Sequence, residues 1–124
     1  MKKVFFLNND TPIIVSFVVK NGVLSANYKI QISSIKENKV LFITKGSNVN
    51  GNKDHILDLP VTVFDNSVLW AVIDFKGMDL TLSKNFDLGI EIKQGNNKLN
   101  DQIVSGVLTG DFQSLQIFIE LQMS

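Results

Sequence analysis

Few side chains in this chain of 124 residues have chemical reach, and most of them fall in one stretch. His55 is the only histidine, cysteine is absent, and Asp54, Asp58, Asp65 and Asp74 follow one another closely. A hydrolytic triad needs a nucleophile, a base and a group that orients the base. With no cysteine and no Gly-x-Ser-x-Gly elbow, His55 has no evident nucleophile to serve and reads as a loop residue. Two-carboxylate chemistry of the glycosidase kind would draw on the four aspartates. Asp74 is the most conspicuous of them because it closes an otherwise apolar run, yet an acid at a strand exit usually caps a turn or meets solvent. No catalytic residue and no enzymatic activity are expected.

Binding is the next possibility. Asn48, Asn50, Asn52 and Asp54 put oxygen-bearing side chains at alternate positions around Gly51, which faintly resembles a calcium loop. The helix-flanked calcium motif asks for several acids and a bidentate glutamate at its twelfth position, whereas this stretch offers one carboxylate and Lys53. Neither a metal nor a cofactor is expected. The polar segment 45–58 is longer than most connections in compact domains, and such loops are often where sites are built. Asn48, Asn50, Asn52, Asp54, His55 and Asp58 are therefore the candidate binding residues for a small ligand or a carbohydrate. Only one tryptophan and one tyrosine are available as stacking platforms, and Trp70, flanked by apolar residues, is expected in the core.

The apolar residues point elsewhere. Phe5 and Phe6, the runs at 13–15 and 17–19, and Phe118 on an otherwise polar face give more apolar surface than one thin sandwich easily hides. Contiguous apolar surface marks an interface or an open sheet edge, which makes Phe5, Phe6, Phe17 and Phe118 the candidate contact residues for a protein partner. All 12 basic residues are lysines and 12 acids balance them. The basic surplus and arginine clusters of a nucleic-acid binder are missing, so nucleic acid is not an expected partner. Zero net charge also removes the repulsion that keeps small proteins apart. No apolar run approaches the roughly 18 residues of a membrane helix, and the one after Met1 stops at Asn8-Asn9-Asp10, too soon for a secretory core. No membrane partner and a cytoplasmic location are expected. The lack of arginine beside abundant lysine and asparagine suggests an AT-rich, bacterial source.

The elements that must carry these residues follow a period of two. Over 25–33, Ala26, Tyr28, Ile30 and Ile32 alternate with Asn27, Lys29, Gln31 and Ser33; stretches 86–94 and 113–122 repeat the pattern. Stretch 67–76 is apolar on both parities, which predicts a central strand covered on both faces or lying at an interface. A hairpin turn is expected at Asn21-Gly22, one helical turn near 54–58, an edge strand over 60–64 behind Pro60, and a short strand at 80–82. About eight strands spaced roughly 8 to 12 residues apart, with no helical periodicity, indicate one all-β domain over 1–124: a two-sheet antiparallel β-sandwich, Ig-like or jelly-roll-like. Function is then expected through protein contacts, as a homo-oligomer or a subunit of a larger assembly. The alternative is ligand or carbohydrate binding at the 45–58 loop.

Overall fold

Alternation at 25–33 becomes the long third strand of the fold. A computed structural model describes residues 1–47, 53–58, 60–78, 84–109 and 112–124. Five strands lie side by side in the order β1 (Lys2–Phe6), β9 (Phe112–Met123), β6 (Ser67–Gly77), β3 (Val23–Ser34) and β4 (Val40–Ser47). A second sheet has the order β5 (Lys53–Ile56), β2 (Ile13–Asn21), β7 (Asn85–Gln94) and β8 (Asn97–Val107). The two sheets pack face to face as an all-β sandwich with nine strands among the described residues. Neighbours run antiparallel except β1 and β9, which run parallel with Lys2 beside Ile119.

Alternating residues of each sheet meet in the middle. Ala26, Tyr28, Ile30 and Ile32 of β3 and Leu69, Ala71, Ile73 and Phe75 of β6 face Ile13, Val15 and Phe17 of β2 and Phe86, Leu88, Ile90 and Ile92 of β7. Phe6, Phe17 and Phe75 are among the largest fully buried side chains, each worth about 1.5–3 kcal/mol of burial. Phe75 and Phe86 tie the layers directly, their ring centres 4.7 Å apart.

Several local expectations give way to tertiary pairing. Asn21-Gly22 is not a hairpin turn: β2 and β3 belong to different sheets, so the dipeptide is a corner between layers. Gly22, with φ at +73°, is required there because a Cβ would lie 1.9 Å from the Asn85 carbonyl oxygen. The helical turn near 54–58 is instead strand β5, and the edge strand over 60–64 is instead a 3-10 turn, Val61–Phe64. Pairing with β2 pulls the charged 53–56 stretch into the sheet, while the Pro60 carbonyl accepts from the Val63 N–H and starts the turn. The expected strand at 80–82 lies outside the described residues. No helix among the described residues is long and apolar enough to cross a membrane.

Candidate functional site

The long polar segment of the sequence begins on β4 of one sheet, with Lys45 and Ser47, and ends on and just beyond β5 of the other. Asn48, Asn50 and Asn52 lie outside the described residues. Asp54 and His55 are successive residues of β5, so their side chains leave on opposite faces. Asp54 turns outward and accepts a hydrogen bond from the Ser16 hydroxyl of β2 at 2.5 Å. His55 turns toward β3, where its Nε2 is 2.5 Å from the Tyr28 hydroxyl. Tyr28 is buried and stacks on Phe17, ring centres 4.4 Å apart. Its ring reaches across β4 because Gly46 has no Cβ to block it; an added one would sit 2.4 Å from the Tyr28 hydroxyl. Asp58 is exposed just beyond β5.

Burial sets the protonation of this pair. It pushes the Tyr28 hydroxyl above its ordinary value of 10.0, so the group keeps its proton and donates. Burial is also the main influence on His55 and holds it below 6.5, Asp54 raising it and Lys53 lowering it by lesser amounts. The imidazole is then neutral, accepting at Nε2 with its proton on Nδ1. Ser16 is bonded to the carboxylate and Tyr28 to the imidazole, on opposite faces. Among the described residues no geometry lets the imidazole link a nucleophile to an acid, and the described loop candidates Asp54 and His55 leave β5 on opposite faces. No group of three His, Cys, Asp or Glu side chains among the described residues is arranged to hold a metal ion.

The four aromatic contact candidates separate just as sharply. Phe6 and Phe17 are fully buried and cannot meet a partner: the pleat sends them inward with Val4 and with Ile13 and Val15. Phe5 and Phe118 point outward, 57% and 46% exposed. Both lie on the outer face of the five-stranded sheet.

That face also holds Trp70, which overturns its assignment to the core. Leu69, Ala71, Ile73 and Phe75 form the covered side of β6, while Val68, Trp70 and Val72 are half-buried on the other. Strand β6 is central, yet the other sheet covers only one of its faces. Trp70 lies opposite Phe118 of β9, their rings 11° from parallel with centres 6.3 Å apart, and its indole N–H donates to Gln116 Oε1 at 3.0 Å. Continuing the row across the sheet, Gln31 and the exposed Ile43 follow Trp70. In the next row Glu120, Val68, Ser33 and the exposed Val40 line up, and Phe5 lies beside Gln122 at the end. No family model, curated protein or solved structure matches this chain.

The sheet face has two unlike ends. Rows from Phe5 to Trp70 hold Phe5, Phe118, Trp70, Val68, Val40 and Ile43 among Gln122, Gln31, Ser33 and the Lys3–Glu120 pair; rows from Val72 to Lys76 carry Lys29, Lys45, Asn27, Ser47 and Asp74, with Phe112 at the far end. The sequence marked Phe5 and Phe118 but not Trp70, Val68, Val40 or Ile43. The one signal for Trp70 was the double parity of its strand, and the register that sets it beside Phe118 leaves no local trace.

Proposed function

We propose that this protein is a non-enzymatic interaction module that self-associates through the apolar end of the outer face of its five-stranded sheet. The observation that carries the reading is the Trp70–Phe118 pair, two large aromatic side chains stacked on an uncovered face and flanked by Val68, Val40, Ile43 and Phe5. At the usual strand spacing and rise, these rows span roughly 400–500 Å² with their polar side chains included, and a surface that exposes paired aromatic residues is commonly a contact surface.

A second copy is the occupant the electrostatics favour. The ionic groups within these rows are Lys3 and Glu120, which pair at 3.6 Å, and the neighbouring polar side chains Gln31, Gln122 and Ser33 are uncharged. Two such ends meet without like-charge repulsion, and the whole chain carries no net charge to keep copies apart. A patch of this size suits a weak dimer, below the roughly 1,200 Å² of total buried area of a standard interface.

Light scattering with sedimentation over a wide concentration range tests this. A monomer–dimer equilibrium with a dissociation constant of roughly 1–100 μM is expected, with Phe118→Lys abolishing the dimer and Phe112→Lys, at the polar end, leaving it intact. A protein that stays monomeric at every concentration would overturn self-association, and a Phe118→Lys variant that associates as before would overturn the use of this face for it.

A further inference from the structure

At the polar end of the same face, β3, β4 and β6 bound a basin of about 610 Å³, within the roughly 300–1,000 Å³ of small-molecule sites. Two ladder rows line it. In the first, Lys45 lies directly opposite Lys29, with Val72 on the other side of Lys29. In the second, Ser47 lies opposite Asn27, and Asn27 opposite Asp74.

Like charges facing each other across a ladder repel and weaken the pairing. The ion pairs among the described residues join Lys3 to Glu120, Lys93 to Glu91 and Lys98 to Asp101, so neither Lys29 nor Lys45 is held in one, and Asp74 is the carboxylate of the basin, one row away. Two ammonium groups side by side at an open basin can share one anion between them. Asp74 narrows the choice of anion. Its Oδ1 accepts from the Ser114 hydroxyl, and its negative charge disfavours any ligand that presents only negative oxygens. A ligand carrying one anionic group and several hydroxyls fits both rows: the anion on the lysines, and the hydroxyls donating to Asp74 and exchanging hydrogen bonds with Asn27 and Ser47. The rows are roughly 6.6 Å apart, two residues of strand rise, which is about the span of one sugar ring. Val72 gives that ring an apolar surface to lie on.

We propose that this basin binds a polyhydroxylated small anion of the acidic-monosaccharide class, its charge supplied by a carboxylate or a phosphate. Lys29 and Lys45 clamp the anionic group, and Asn27, Ser47 and Asp74 read the hydroxyls. The site is separate from the self-association surface, which rests on the rows of Val68 and Trp70.

The test is calorimetric titration of the full chain at low salt with glucuronate, glucose 6-phosphate, glucose and inorganic phosphate. At least one acidic sugar is expected to bind tenfold or more tightly than both glucose and phosphate, and which of the two binds better tells carboxylate from phosphate. Lys29→Gln and Lys45→Gln should each weaken binding about tenfold without lowering the thermal midpoint, because each also relieves the cross-strand repulsion. Phe118→Lys should leave binding unchanged. Three results would each overturn the proposal: no binding of either acidic sugar at millimolar concentration, phosphate binding as tightly as the better of the two acidic sugars, or full affinity in the double lysine variant.

Discussion

Tyr28 and His55 fasten one sheet to the other through a single proton. The hydroxyl donates only while the phenol is neutral, and Nε2 accepts only while the imidazole is neutral. Stability should therefore fall at both extremes of pH. His55 is held below its ordinary value of 6.5, so the unfolded chain takes up a proton first; stability is fully present above that value and is lost as pH falls through it toward the folded-state value. Tyr28 is raised above 10.0, so the unfolded chain loses its proton first, and stability declines as pH rises past that point. Thermal midpoints measured across pH should trace this plateau. Tyr28→Phe should cost about 0.5–1.5 kcal/mol at neutral pH and remove the alkaline decline attributable to this phenol. An unchanged profile in that variant would show that the pair does not couple the layers.

Among the elements, the loop between β1 and β2 depends on one side chain from β7. Gln94 is 4% exposed; its Oε1 accepts from the Leu7 N–H, and its Nε2 donates to the carbonyls of Leu7 and Thr11 and to Asn9 Oδ1. One amide thus does for residues 7–11 what a strand partner does elsewhere. Gln94→Ala should cost about 1–3 kcal/mol by denaturant titration and speed amide exchange at Leu7, because the variant leaves the Leu7 N–H without its acceptor, while the Leu7 carbonyl keeps only the Asn9 N–H. This role was invisible in the sequence, where Gln94 merely ended an alternating stretch. Strands β3, β7 and β9 were legible because each hides one parity and wets the other, as Tyr28 and Lys29 do. Strand β6 was legible as central but not as half-open, since Trp70 and Leu69 are equally apolar and only the placement of the second sheet distinguishes their faces. Strand β5 and the 3-10 turn were read the wrong way round because Lys53, Asp54 and His55 have little intrinsic preference for a strand and adopt one through their partners in β2. The polar segment drew attention as a site, and its first residues Lys45 and Ser47, which belong to β4, do line the basin, whereas Asp54, His55 and Asp58 do not line it.

For the molecule as a whole, the sandwich divides its labour by surface. One sheet face offers an apolar end and a cationic basin, while the interior is sealed by Phe6, Phe17 and Phe75. Most strand neighbours are distant in sequence, β6 pairing with β3 and β9, and β2 with β5 and β7. Such topologies fold slowly, in roughly milliseconds to seconds, because long loops must close before the contacts they allow are made. Trp70 supplies the probe: its fluorescence should change as β9 docks and Phe118 arrives, and stopped-flow refolding should follow that step on this timescale. Refolding complete within microseconds would mean that the central sheet forms from local contacts alone.

The parallel seam between β1 and β9 bears on how the chain is born. A ribosome releases Val4 and Phe6 long before it has translated Ile119 and Leu121, the neighbours that will shelter them. Until then the first strand waits with its greasy side open, and prematurely terminated products lack a lid for that part of the interior.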